Sequence, residues 1–320
     1  MARALEPFPN LVDMFLARAR EQGDKPFLWA KREGSWQAVS WAEAARQVAA
    51  FAASLKRIGL HPGDRVCLVS ENRPEWLIAD LGIMAAGCVT VPTYTTNTAR
   101  DHAHVLGNSG ARAVIVSNQK LARNLIPAVL TSSECHHIIG FEDVRAGQAP
   151  DWVQVHRWAD LVAAPADVEE LEREVQGVNR GDLACIIYTS GTGGAPRGVR
   201  QHHGAILHNV AACVEVISED FGWDDEVFLS FLPASHAYEH TGGQHFPVGL
   251  GAQIYYAESL EKLAANIEDV RPTIMVVVPR LFEMLRARIL KTIEKDGGLS
   301  AYLMGRALSS GKKRADGHLP

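Results

Sequence analysis

The stretch Leu183-Ala-Cys-Ile-Ile-Tyr-Thr-Ser-Gly-Thr-Gly-Gly-Ala-Pro-Arg-Gly-Val199 decides how this chain is read. Leu183 to Tyr188 is apolar throughout, which suits a strand covered on both faces. A hydroxyl- and glycine-rich loop follows, and a helix-like segment begins near His203. Strand, loop and helix in that order form a context that binds phosphate. Thr189, Ser190 and Thr192 offer hydroxyl donors, while Gly191, Gly193 and Gly194 let the backbone approach and turn its N–H groups inward as an anion nest. Arg197 adds a permanent charge with a planar, bidentate fork. No Gly-Lys-Ser/Thr triplet stands at Walker A spacing and GxGxxG is absent, so a P-loop NTPase is disfavoured. The plain alternative is an ordinary surface loop. The ordered series of hydroxyls, glycines, proline and cation weighs against it.

Working outward, apolar β-branched runs bounded by turn residues predict strands at Arg65–Val69, Cys88–Pro92, Ala113–Val116, His137–Phe141, Val227–Leu232, Gln253–Tyr256 and Thr273–Val278. Helical spacing predicts helices at Trp41–Ile58, Pro74–Ala86, Ala205–Ile217, Leu260–Val270 and Arg280–Ile293. The alternation implies an α/β fold with largely parallel sheets flanked by helices. Ile274–Val278, with no polar residue, reads as a core strand. The charged, helix-prone stretch Asp167–Val175 is expected as a surface connector between a portion 1–175 and a loop-bearing portion 176–320. The tail from Asp296 is rich in glycine and serine and shows no closing element.

The chain has 320 residues, 47% hydrophobic and 22% charged, the mix of a globular protein with a large core. A net charge of -5 gives no basic field for nucleic acid, and the short run Lys312, Lys313, Arg314 reads as a solvated face or loop. Five cysteines, an odd number without CxxC spacing, fit a reduced compartment. The N-terminus has no signal-peptide pattern, and no segment approaches the roughly 18 apolar residues of a membrane span. A cytoplasmic protein that touches membranes at most peripherally is expected, with oligomeric state undetermined.

Tyr188–Val199 resembles the YTSGTTGxPKGV signature of the adenylate-forming superfamily, with Gly193 in place of the second threonine and Arg197 in place of the lysine. Glu71–Gly82, Ala86–Tyr94 and His104–Ala111 resemble the N-terminal region of long-chain acyl-CoA synthetases, the AMP-forming fatty-acid–CoA ligases. The resemblance covers nearly the whole chain and implies the N-terminal portion of the adenylate-forming fold. It is incomplete here, because no YGxTE-like segment, no later TGD segment and no C-terminal domain with its lysine is found. It further implies ATP, Mg²⁺ and coenzyme A, with Thr189, Ser190, Gly191, Thr192, Gly193, Gly194 and Arg197 on the nucleotide, Thr192 at the metal and a fatty acid as substrate. A chain ending at Pro320 is then expected to be inactive alone. Two alternatives stay open: another adenylate-forming ligase for aryl or amino acids, and a non-catalytic nucleotide-binding fragment.

Phe231-Leu-Pro-Ala-Ser-His-Ala-Tyr-Glu-His240 matches two patterns. His236-Ala-Tyr-Glu-His240 fits the HxxEH arrangement of inverted zinc peptidases, but Pro233 before it and Thr241-Gly-Gly after it argue against the helix such a site needs. The same segment resembles the LPLxHxxE motif of acyl-CoA synthetases, which implies that His236 and Glu239 border the acyl and nucleotide pockets as catalytic residues. A histidine that merely satisfies backbone groups at a strand end is the plainer reading. His202, His203, His240 and His245 receive no role. Val270–Glu283 is similar to the family's segment beside the acyl tunnel.

Overall fold

The computed structural model describes residues 4–147, 149–189, 195–222 and 225–315. Its strands are β1 (Pro26–Arg32), β2 (Ser35–Ser40), β3 (Arg65–Val69), β4 (Val89–Thr93), β5 (Ala111–Val116), β6 (His137–Gly140), β7 (Gln154–Arg157), β8 (Leu183–Thr189), β9 (Arg197–His202), β10 (Val227–Ser230) and β11 (Gln253–Tyr256). One seven-stranded sheet runs β7-β6-β5-β3-β4-β8-β9, parallel except for the β8–β9 hairpin. A four-stranded sheet runs β10-β11-β1-β2, parallel except for the β1–β2 hairpin. Glu33 and Gly34 turn that hairpin with φ of 51° and 81°, the left-handed pair a two-residue connection demands.

The apolar runs make sense because each inner strand feeds two cores. Along β3, Val66 and Leu68 join one hydrophobic cluster, and Cys67 and Val69 the other. β8 alternates the same way, with Cys185 and Ile187 on one side and Ile186 and Tyr188 on the other. The first core is closed by the helices Leu11–Gln22, Trp41–Arg57 and Pro74–Ala85, the second by Ala99–Ser109 and Gln119–Leu130. A period-2 pattern would have left one face wet; continuous apolarity fills both.

Four sequence expectations change. Thr273–Val278 forms only an isolated parallel bridge, Phe228 to Ile274, and residues 274–277 are half-buried. It lies beside β10, the outer strand of the small sheet, with Ile274 packed on the first core and Val276 close to Gly242, so it is partly covered and not enclosed as a core strand. The glycine-rich loop leads into a return strand, β9, before the helix His203–Asp220, so its context is a hairpin mouth. The portions 1–175 and 176–320 share both sheets: β8 and β9 extend the one begun by β3 to β7, and β10 and β11 complete the one begun by β1 and β2. The chain divides instead into units spanning 1–276 and 277–320. Finally, the second unit contains helices Pro279–Asp296 and Gly298–Ala315, so the glycine- and serine-rich tail is helical as far as Ala315. Lys312, Lys313 and Arg314 are exposed in its last turn, where cations complement the helix dipole.

The connector is a helix, Val168–Val175, begun by Asp167, whose side chain accepts from Glu169 N. It buries Leu171 and Val175, and Asn10 Nδ2 caps its end by donating to Val175 O at 2.9 Å.

Candidate functional site

Two structures carry the chemistry that the sequence singles out. The first is the mouth of the β8–β9 hairpin. Thr189 and Arg197 are register partners across it, and both are exposed. Ser190, Gly191, Thr192, Gly193 and Gly194 lie outside the described residues. The helix Ala99–Ser109 holds the hairpin: Tyr188 Oη donates to Asn108 Oδ1 at 2.6 Å, and His104 Nε2 meets Pro196 O at 2.8 Å. A carbonyl only accepts, so His104 carries its proton on Nε2. Thr98 starts that helix with a capping box through Asp101, and both residues project from its later turns, one turn apart. The hairpin that carries Arg197 is thereby seated on a rigid base.

The second is the segment after β10. Asn72, in the loop that follows β3, clamps it: Nδ2 donates to Ser230 Oγ at 2.9 Å and to Leu232 O at 2.6 Å, while Oδ1 accepts from Ala234 N at 2.9 Å. Gln244 Nε2 also donates to Ser230 Oγ, at 3.1 Å. With both acceptor positions filled, the single hydroxyl proton of Ser230 goes to Glu239 Oε1, 2.6 Å away. Tyr256 Oη completes the chain by donating to Gln244 Oε1 at 2.9 Å. Glu239 is buried, and burial pushes its carboxyl up to about 8 against the opposing hydrogen bonds of Ser230 and Gln244. Burial thus favours its neutral, protonated form.

His236 and Glu239 therefore part company. His236 is exposed, and its Nδ1 accepts from Tyr238 N at 3.2 Å as the cap of the turn Ala237–Glu239. Glu239 turns inward beneath Gly243, where a Cβ would overlap its carboxylate. The expectation of poor helix support is also corrected. Ala237–Glu239, a π-helix His240–His245 and the helix Phe246–Leu250 run without a break, since Pro247 falls at the start of an α-turn and the glycines tolerate the wide one. The HxxEH histidines still do not converge, because His236 faces solvent and His240 the interior.

Sequence reasoning assigned no role to Asp80, His240 or His245, which meet at 0% side-chain exposure. His240 Nε2 lies 3.1 Å and His245 Nε2 3.2 Å from Asp80 Oδ2. Burial pushes the Asp80 carboxyl up, but the two imidazoles outweigh it and hold the group below the usual carboxylate range. Burial likewise lowers His245. The available signal was a carboxylate inside Trp76-Leu-Ile-Ala-Asp-Leu-Gly-Ile-Met84, an otherwise apolar helical stretch.

A model of the AMP-binding enzyme family matches residues 15–313. The chain belongs to that family. As an AMP-binding enzyme it is 26% identical to a long-chain-fatty-acid–CoA ligase of Xenopus laevis over 98% of this chain and 43% of the relative. It is 30% identical to the long-chain-fatty-acid–CoA ligase FadD15 of Mycobacterium tuberculosis over 86% of this chain and 44% of the relative. The chain thus spans less than half the length of these relatives. Among solved structures, the adenylation domain of a carboxylate reductase from Mycobacterium chelonae superposes with a TM-score of 0.74 at 19% identity, over 92% of this chain and 49% of that one. Anthranilate and benzoate CoA ligases share the fold as well. The α/β architecture of this AMP-binding enzyme, mostly parallel sheets flanked by helices, is the one found in the N-terminal part of adenylate-forming enzymes.

Proposed function

We propose that this chain is the nucleotide- and acyl-binding portion of an AMP-forming ligase that activates fatty acids as coenzyme A thioesters. In the first half-reaction the fatty-acid carboxylate attacks the α-phosphate of ATP, giving acyl-AMP and pyrophosphate. In the second the coenzyme A thiol displaces AMP. Both halves bring anions together, so positioning and charge neutralisation supply most of the rate. The observation that supports the reading best is the hairpin mouth, where Thr189 and Arg197 face each other on strands tied to the Ala99–Ser109 helix by Tyr188 and His104. There Arg197 offers a bidentate contact to phosphate oxygens. Magnesium, when bound, neutralises phosphate charge; Thr192, the hydroxyl that the family resemblance gives it, lies outside the described residues.

Glu239 serves this reading from within, holding Ser230 and the segment that carries His236. Of the two, His236 is the one exposed to solvent. The fatty-acid substrate follows the relatives named above, and among the described residues no helix is long and apolar enough to cross a membrane. Activity in the cytoplasm with peripheral access to lipid accords with that. A second reading, a ligase for aryl acids, is favoured by the shared fold of the anthranilate and benzoate enzymes.

The test is substrate-dependent ATP–pyrophosphate exchange, run on this chain and on any longer chain its reading frame encodes. Acetate, octanoate, palmitate and benzoate are compared. Each methylene buried should contribute about 0.8 kcal/mol, roughly fourfold in kcat/KM, until the tunnel is full. A maximum at benzoate establishes the aryl reading; a maximum at acetate sinks the fatty-acid reading. Nucleotide binding without exchange in either chain identifies a non-catalytic module.

A further inference from the structure

The cluster of Asp80, His240 and His245 lies within the fold and has no part in the phosphate or acyl contacts proposed above. We propose that it is a buried site for one divalent transition-metal ion, zinc by preference, with Asp80 Oδ2 and the Nε2 atoms of His240 and His245 as ligands.

Geometry is the first support. Two ligands about 2.0–2.1 Å from a tetrahedral zinc stand about 3.3 Å apart. The separations here, 3.1 and 3.2 Å to the shared carboxylate oxygen, match that edge, and the three ligand atoms all lie within 4.8 Å of one another. Two imidazoles and a carboxylate are a zinc donor set, whereas magnesium and calcium prefer oxygen alone.

Orphaned atoms are the second support. Asp80 Oδ1, His240 Nδ1 and His245 Nδ1 have no hydrogen-bond partner among the described residues, although all are buried. His245 Nε2 has none either: it is close to Asp80 Oδ2 but not aligned for a hydrogen bond. Ligation through Oδ2 and the Nε2 atoms leaves the first three as they are, so the orphan that speaks for a cation is His245 Nε2, a buried ring nitrogen beside a carboxylate without a hydrogen bond. A cation accounts for His245 Nε2 directly, since its lone pair then points at the metal.

The backbone supplies the third. On an ordinary α-helix, residues five apart diverge by about 140° and would face different neighbours. His240–His245 is a π-helix, whose wider turn brings residues five apart toward one face, and such turns concentrate at functional sites. The two rings stand edge to face with centroids 4.8 Å apart, and Trp76 packs edge-on against His240 at 5.8 Å, closing the site from solvent. An ion so enclosed exchanges slowly and acts as a staple between the helix Pro74–Ala85 and the segment after β10.

The experiment uses the untagged 320-residue chain without nucleotide or magnesium. It is stripped by chelator, titrated with Zn²⁺ or Co²⁺, and checked for its fold by circular dichroism throughout. One zinc per chain, retained through gel filtration, is expected, with a higher melting temperature and the intense visible absorption of tetrahedral cobalt. Asp80→Asn and His245→Gln should each weaken zinc binding at least tenfold, while His236→Gln leaves it unchanged. His137→Gln is a second control, because His137 Nδ1 and His156 Nε2 form another histidine pair, 3.1 Å apart. Should the cluster variants fail to fold, the cobalt spectrum and anomalous diffraction at the zinc edge of the unaltered chain decide instead. Binding below one equivalent, an octahedral cobalt spectrum, or binding lost in His137→Gln but kept in the cluster variants overturns the proposal. So does a chelated chain as stable as the zinc-loaded one.

Discussion

Asn72 Nδ2 donates to Ser230 Oγ at 2.9 Å, joining the loop after β3 of the large sheet to the end of β10 in the small one. The same side chain makes two further bonds, so Asn72→Ala removes three and leaves Ala234 N without its acceptor. A loss of about 2–4 kcal/mol is expected. Guanidinium denaturation should show it as a lower midpoint with an unchanged slope. Asn72→Asp keeps the acceptor for Ala234 N but sets a carboxylate oxygen against Leu232 O and the Ser230 hydroxyl, so it should be at least as destabilising as Asn72→Ala.

Gly243 has no room for a side chain because the Glu239 carboxylate lies against it. Gly243→Ala should cost about 1–3 kcal/mol as overpacking. In a Glu239→Ala background most of that penalty should disappear. A double-mutant cycle measures the coupling, and additivity would show that the clash relaxes elsewhere.

His102 is 1% exposed, and burial holds its imidazole down to about 4. Its folded pKa lies below the unfolded value of about 6.5, so the unfolded chain binds the proton first. Its effect on stability is therefore absent above about pH 6.5 and grows as pH falls toward 4, where the loss reaches on the order of 3 kcal/mol. His102→Gln should flatten this part of the stability curve between pH 6.5 and 4. An unchanged slope would assign the acid sensitivity to other groups.

His104→Ala removes the bond to Pro196 O that seats the β8–β9 hairpin. Stability should fall by only about 1 kcal/mol. ATP affinity, followed by equilibrium dialysis, should fall by about five- to tenfold, because the loop loses its base before it loses any ligand contact. Unchanged ATP affinity beside that loss of stability would make His104 a packing residue alone.

Arg197→Ala should weaken nucleotide handling more than Arg197→Lys, since lysine keeps the charge and loses the planar fork. A charge-assisted bond of about 1.5–3 kcal/mol corresponds to roughly 10- to 150-fold in exchange rate. Equal losses would point to guanidinium geometry, and no loss in either variant would remove Arg197 from the site.

Where strand and helix signals were strong, the elements fall close to their sequence positions. Arg65–Val69 and Gln253–Tyr256 match fully, and Trp41–Arg57 ends one residue early. β1, β2, β7 and β9 carry mixed polar and apolar residues on edges or next to them, so their pattern did not stand out. Thr273–Val278 shows the converse: β-branched apolarity makes a strand possible, but a strand needs a neighbour along its length, and here there is one bridge.

For the candidate sites, the sequence alone determined the order of hydroxyls, glycines and cation in the loop, because contiguous residues must share a turn. It also marked the apolar strands that carry them. Only the tertiary structure decided that His104 and Asn108 hold the β8–β9 hairpin at Pro196 and Tyr188, that Asn72 meets Ser230, and that Asp80 receives His240 and His245. These partners lie 80 to 165 residues apart in the chain. Side-chain chemistry can nominate each one, but their meeting depends on which strands pair and on a π-turn that rotates two histidines onto one face.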